Sequence, residues 1–295
     1  MTQTLTHRYA TCIAASQPDA TAIACARLGV LDWLASAAAG LDDLAYRTMR
    51  QAFLGCAGVG DGLLIGGPAG LDRPTAELLN ATLGHAIDFD DIHPAVRGHP
   101  STVILPALLA FAQDRTLSAD TFLAAYATGI EAMARLGRAL GYQHYAAGFH
   151  NTATLGGVGA VAAIGRLLSM EPTILAQALG LAATQAGGLR LQFPTDIKPL
   201  HAGFAARAAV TAVLLSQTGI RASSTWLDGP IGFLSAFGLG GNTNELCVTP
   251  WGQPWEITSP GLLFKPFPCC GATHLPAHAA LRLRAQHGIA AETIK

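Results

Sequence analysis

The sequence predicts an all-α fold, and three observations carry that expectation. Apolar residues recur with helical period along most of the chain. No segment sustains the period-two alternation of β-branched residues that a half-buried strand needs. Charged residues are only 13% of the 295-residue sequence, about half the usual share. Alanine and glycine fill that gap, which predicts closely packed helices and a surface partly covered by another subunit. The 51% apolar content suffices for a large core.

Element by element, the segment 20–39 follows Ser16-Gln17-Pro18-Asp19, is apolar at Ile23, Leu28, Leu31 and Leu34, and stops at Gly40. A helix over 75–86 carries Leu78, Leu79 and Leu83 on one side. The next, 102–113, contains Pro106, so a kink is expected there. Ser118 is a good N-cap for 119–140, where Phe122, Tyr126, Ile130 and Met133 keep the spacing. Further helices are expected at 152–168, 173–187, 200–218 and 271–287. The Gly/Pro-rich stretches 55–74 and 228–262 read as loops or irregular segments rather than domain linkers.

A net charge of -1 supplies no long-range field and gives no case for nucleic acid or an anionic membrane as partner. The six cysteines, Cys12, Cys25, Cys56, Cys247, Cys269 and Cys270, lack CxxC spacing, so neither a disulfide framework nor a zinc site is expected. The vicinal pair Cys269-Cys270 reads as buried packing rather than a redox centre. The start lacks a secretory pattern, and the apolar stretches fall short of a membrane span. A reducing cytoplasm is the expected compartment.

Lysine is the first chemical signal: it occurs three times against fifteen arginines, and one of the three is the terminal Lys295. The other two, Lys198 and Lys265, each precede a proline, in TDIKPLH and FKPFP. The choice lies between leftover surface charge and paired ammonium groups near helix starts that bind carboxylates, with Lys198 aimed along the dipole of the helix 200–218. The second signal is His85-Ala86-Ile87-Asp88-Phe89-Asp90-Asp91-Ile92-His93 followed by His99, three carboxylates and three histidines within fifteen residues. Metal binding, a positioned base and local capping all remain open for it. Its aspartates also resemble the diphosphate–magnesium motif of helical terpenoid synthases, but that reading needs a second acidic motif, and none is present. Third, His150 in GFHNT stands at a helix start, where the dipole keeps an imidazole neutral and able to accept a proton. His274 closes the series, in CCGATH just after Lys265.

In this order the motifs resemble the MmgE/PrpD family, which includes 2-methylcitrate dehydratase, cis-aconitate decarboxylase and iminodisuccinate epimerase. The run NATLGHAIDFDDIHPAVRGHPSTVILP over 80–106 carries the resemblance, followed by GFHNTATLGGVGA, ALGLAATQAGG, DIKPLHAGFAARA and KPFPCCGATH. It implies an all-α helical domain over 1–275 that forms a homodimer, with 276–295 as its last helix and the start of a truncated, largely missing lid domain. It further implies a lyase that works on a small polycarboxylate without metal or organic cofactor. By motif the family's active site falls on Asp88, His99, His150, Lys198 and Lys265. Catalytic roles are expected of Asp88, His99 and His150, and substrate binding of the two lysines, with Cys270 and His274 of the adjoining segment added as substrate-binding candidates. The lysines would hold carboxylates and stabilise the aci-carboxylate formed when an α-proton leaves. His150 or His99 would be the base; the other, or Asp88 if burial raises its pKa, would protonate the departing hydroxyl. The decarboxylase branch has a threonine after DFDD and a histidine in the KPFPCC segment, where this chain has Ile92 and Cys270. Those departures argue against decarboxylation and leave dehydratase-like or epimerase-like chemistry. Dehydration of a 2-methylcitrate-like acid, in propionate metabolism, is the expectation, with an epimerase or decarboxylase of the same family, or a lid-less non-catalytic helical dimer, as the alternatives.

Overall fold

The computed structural model describes residues 4–238, 246 and 250–294. Among them the order is α1 (Leu5–Ala14), α2 (Ala20–Gly40), α3 (Leu44–Leu54), the short strand β1 (Val59–Gly62), α4 (Arg73–His85), α5 (Ser101–Ala112), α6 (Ala119–Ala146), α7 (Asn151–Leu167), α8 (Pro172–Ala183), α9 (Ile197–Gln217), α10 (Phe233–Gly238) and α11 (His274–His287). The all-α expectation holds. The stretch 55–74 adds β1, bridged to Leu71. Helices α1 and α3 escaped sequence reasoning, as did α10, which lies inside the stretch read as irregular.

Side-chain caps explain several starts. Asp19, Asp43, Asp72 and Ser118 each accept a hydrogen bond from the backbone N–H three residues on, at Ala22, Tyr46, Thr75 and Thr121. Helix α6 runs to Ala146 across a break at Gly141, whose φ of 68° only glycine adopts readily. Helix α5 passes through Pro106 without leaving helical dihedrals.

The core is organised around α7. Every residue of that helix except Arg166 is buried, and it packs against α5, α6, α8 and α9. Glycines make this possible. A Cβ on Gly129 of α6 would lie 2.8 Å from the Gly159 carbonyl, and one on Gly159 of α7 would lie 2.8 Å from Met133 Cβ. The two backbones touch where neither has a side chain. Gly129→Ala therefore sets a helix-propensity gain of about 1 kcal/mol against an overpacking cost of about 1–3 kcal/mol. We expect net destabilisation, read as a lower urea midpoint at unchanged m-value.

Two helices, α2 and α9, are long and apolar enough to cross a membrane, contrary to the sequence expectation. Both pack into the bundle, α9 with most of its length buried. On α2, Leu28, Leu31 and Leu34 remain exposed. No residue of α11 is buried.

The irregular stretch 250–262 is pinned to α6. Both carboxylate oxygens of buried Glu131 accept backbone N–H groups, from Gly252 at 3.0 Å and Glu256 at 2.7 Å. Arg135 binds Glu131 and the Pro250 carbonyl, and Arg138 forks onto Glu256. Leu263 then exchanges both backbone hydrogen bonds with Ile92, at 3.0 and 2.8 Å. This bridge delivers Lys265 to the acidic loop after α4.

Candidate active site

Four segments converge on one point. Helix α4 ends at His85, and the loop 86–100 supplies Asp88, Asp90 and His99. His150 precedes α7, Lys198 and His201 lie in the first turns of α9, and Lys265 arrives on the strap paired with Ile92. Helices α5, α7 and α9 begin at Ser101, Asn151 and Ile197, so three positive helix ends face the cluster, a field that favours anions. Lys198 sits inside the first turn of α9 rather than before it, because the helix starts three residues earlier than its apolar period indicates.

Asp88 is the hub. Its φ of 53° is a left-handed conformation that Asp tolerates better than most residues. This turn presents both its carbonyl and its carboxylate to Lys265, whose Nζ donates to Asp88 O and Oδ1 at 2.6 Å each. Lys198 Nζ lies 2.5 Å from Asp88 Oδ2. Burial raises the pKa of Asp88, but the charges of His99, His85, Lys198 and Lys265 overcome that and hold it down at about 2. The condition attached to an acid role for Asp88, a pKa raised by burial, is not met, because His99, His85 and the two lysines together outweigh burial.

The histidines form a second layer. His85 is fully buried and neutral; burial pushes its pKa down to about 4 against the pull of Asp90. Burial raises Asp90, but His85 and His99 hold its carboxyl well below the usual range. It therefore stays ionised and accepts from His85 Nδ1 at 2.8 Å. The other His85 nitrogen, Nε2, has no partner among the described residues. His99 is set between carboxylates, with Nδ1 3.4 Å from Asp90 Oδ2 and Nε2 3.7 Å from Asp88 Oδ1. Its ring lies 4.3 Å from that of His85, and its backbone N–H is fixed by Thr152 Oγ1 of α7 at 3.0 Å.

His150 takes the N-cap backbone conformation of α7, but its side chain does not cap the helix. Its Nδ1 instead meets His201 Nδ1 at 2.9 Å. Burial first, then the neighbouring His85, His99, His201 and Lys198, drive the His150 pKa well below its ordinary value. Phe193 stands edge-on to His150 at 4.6 Å and beneath Lys198 Nζ at 5.2 Å, closing one side.

Of the residues named from sequence, Asp88, His99, His150, Lys198 and Lys265 come together. Cys270 and His274 do not join them through any hydrogen bond. Cys270 is exposed and Cys269 half-buried, so the vicinal pair is not the buried packing expected. Cys247 lies outside the described residues. His274 Nε2 pairs with the Cys269 carbonyl at 3.1 Å within its own segment. Sequence reasoning quoted His85 and Asp90 without assigning them, and it missed His201 and Phe193. A usable signal existed for His201, which follows Lys198 by three residues on one helical face.

His85, Asp88, Asp90 and His99 also offer donor atoms within 4.8 Å of one another, a set that could hold a metal ion. Here both oxygens of Asp88 serve ammonium groups and Asp90 serves His85. A divalent cation at Asp88 would therefore sit against two positive charges.

The family model for the MmgE/PrpD N-terminal domain matches residues 5–245. The cis-aconitate decarboxylase-like protein oryM of Aspergillus oryzae is 31% identical over 224 residues, 71% of this chain and 46% of that protein. The human cis-aconitate decarboxylase is 31% identical over 221 residues, 71% of this chain and 44% of its own length. That of Aspergillus terreus is 30% identical over 225 residues, 72% of this chain and 46% of its own. The chain thus spans less than half the length of these relatives. The match runs through α4, α5, α7 and α9, the helices that place the site, and the chain belongs to the MmgE/PrpD family.

Proposed function

We propose that this chain carries the acid–base half of a lyase that acts on a small polycarboxylate, removing an α-proton and then the β-hydroxyl of a 2-methylcitrate-like hydroxy acid. One observation carries the reading: two sequestered ammonium groups share a single carboxylate beside a cluster of neutral histidines. A substrate carboxylate competes with Asp88 for Lys198 and Lys265. Their charge then stabilises the dianionic aci-carboxylate that forms as the α-proton leaves, and they stabilise it more than the ground state because the charge develops there. His150 is the base, with a neutral ring and one nitrogen already engaged by His201. His99, facing the carboxylates of Asp88 and Asp90, is the donor to the departing hydroxyl. A homodimer of cytoplasmic location, with no cofactor, nucleic acid or membrane involved, completes the proposal.

Decarboxylation is the second reading, favoured by the names of the curated relatives. It shares the same lysines and the same proton chemistry. Against it stand Ile92 and Cys270, where that branch has threonine and histidine. Incubation with 2-methylcitrate, followed by ultraviolet absorbance of the conjugated alkene, is set beside incubation with cis-aconitate followed by carbon dioxide release. Alkene formation without carbon dioxide is the expected result, and the reverse pattern selects decarboxylation. Thermal stabilisation by both acids with turnover of neither would reduce the chain to a carboxylate binder and overturn the lyase reading.

A further inference from the structure

We propose that His201 is a positioning residue that fixes the tautomer of His150 and carries its proton to a cleft on the far side of the pair. This rests on the reading of His150 as the base. The Nδ1 atoms of the two rings are 2.9 Å apart. A hydrogen bond between two imidazole nitrogens holds one proton, so one ring donates and the other accepts. Burial lowers the pKa of both, so both rings are neutral. When His150 donates from Nδ1, its own Nε2 must carry the lone pair, the form a base needs, and His201 must carry its proton on Nε2. Neither Nε2 has a hydrogen bond to any described residue, so nothing else sets the tautomers.

The two rings face different spaces. The His150 ring lies 6.2 Å from that of His85 and meets Phe193 edge-on. His201 lines a cleft of about 500 Å³ with Gln185, Gln192 and Arg207, floored by Ala and Gly of α7, α8 and the loop 186–188. That loop clamps the pair. The Gly188 carbonyl accepts from His150 N–H at 3.0 Å, and a Cβ on Gly188 would sit 3.5 Å from the His201 ring. The charged and titratable groups facing His150 are His85 from α4, His99 from the loop before α5, and Lys198 and His201 from α9. Of these, His201 alone is hydrogen-bonded to it.

The relay balances. His150 Nε2 takes the substrate's α-proton and becomes an imidazolium. Its Nδ1 proton moves to His201 Nδ1, and His201 releases its Nε2 proton to water in the cleft. One proton has passed from substrate to solvent, and the two rings have exchanged tautomers. His150 now bears that proton on Nε2. To reset, a solvent proton enters at His201 Nε2, the His201 Nδ1 proton returns to His150 Nδ1, and the His150 Nε2 proton passes to the donor spent on the departing hydroxyl. Over a full cycle the α-proton and the hydroxyl leave together as water.

The test pairs histidine ¹⁵N NMR with kinetics on wild type, His201→Phe and His201→Asn. Asparagine places an amide oxygen near the former Nδ1, keeping the acceptor but removing the relay. Wild type is expected to show His150 protonated at Nδ1 in a strong hydrogen bond, lost in His201→Phe and kept in His201→Asn. His201→Phe should lower kcat by ~10²-fold, at the low end for loss of acid–base assistance, with KM little changed. His201→Asn should recover part of that loss. Wild-type kcat in His201→Phe, or a wild-type His150 protonated at Nε2 instead, overturns the proposal. If His201→Phe does not fold, the wild-type and His201→Asn spectra decide alone. If wild type turns nothing over, the lyase reading fails while the tautomer assignment is still read from the spectra.

Discussion

Asp88→Ala is expected to destabilise the protein by about 3 kcal/mol, the lower end of what removing one partner of a buried ion pair costs. Two cations lose their shared anion at once: the Lys265 side chain is 1% exposed and that of Lys198 11%, so water reaches neither well. The 21% exposure of Asp88 itself places the figure at the lower end. The pH dependence carries part of its signature. A carboxylate held at about 2, against an ordinary value of 3.8, contributes stability that is complete above pH 3.8 and lost as pH falls through 2. Buried neutral histidines act earlier: their folded pKa lies below 6.5, so the unfolded chain takes up protons first and stability declines from pH 6.5 downward. Urea midpoints of wild type should therefore fall in two acid phases, and in Asp88→Ala the second should be smaller but still present, because Asp90 is held low as well. A double-mutant cycle with Lys265→Met should return part of the loss, because the stranded charge is gone. An Asp88→Ala protein as stable as wild type would mean that counterions or water serve the lysines, and the buried hub would have to be abandoned.

The helices were legible because the core demanded a stripe of apolar residues at helical period, and because Asp19 and Ser118 stand at two of their N-termini. Helices α1 and α3 were not, although α3 has an equally clear cap in Asp43. Each is only three turns long, too short for its period to stand out. Within the site, lysine scarcity pointed to Lys198 and Lys265, yet nothing in the sequence could show that one carboxylate holds both. That depends on the left-handed turn at Asp88 and on the Ile92–Leu263 bridge, and the bridge joins segments more than 160 residues apart. The same long-range dependence decides the charge of Asp88. Burial alone raises a carboxyl pKa, and only the fold reveals the cations that reverse it. Cys270 and His274 went the other way. Proximity in sequence to Lys265 suggested a shared site, but the chain turns at Gly271–Thr273, leaving Cys270 exposed and His274 half-buried and paired within its own segment.

His150→Ala and His99→Ala are each expected to lower kcat by ~10²–10⁴-fold, the usual worth of a positioned acid or base, while changing KM far less. The lysines rather than the imidazoles hold the substrate carboxylates. The double variant should be little worse than the weaker single one, since base and donor serve one reaction coordinate and their effects do not add. The two residues separate by pH. His150 is active when neutral, and burial together with His85, His99, His201 and Lys198 keeps it so, placing the acid limb of kcat/KM below 6.5. In Lys198→Met one of those repelling charges disappears, and the limb should move up in pH even as KM rises. His99→Ala removes another neighbour and should move it the same way in whatever activity remains. A limb that stays fixed in both variants would show that the base is some other group. Full activity in both His99→Ala and His150→Ala would remove the histidine cluster from the chemistry, leaving the paired lysines as a binding site alone.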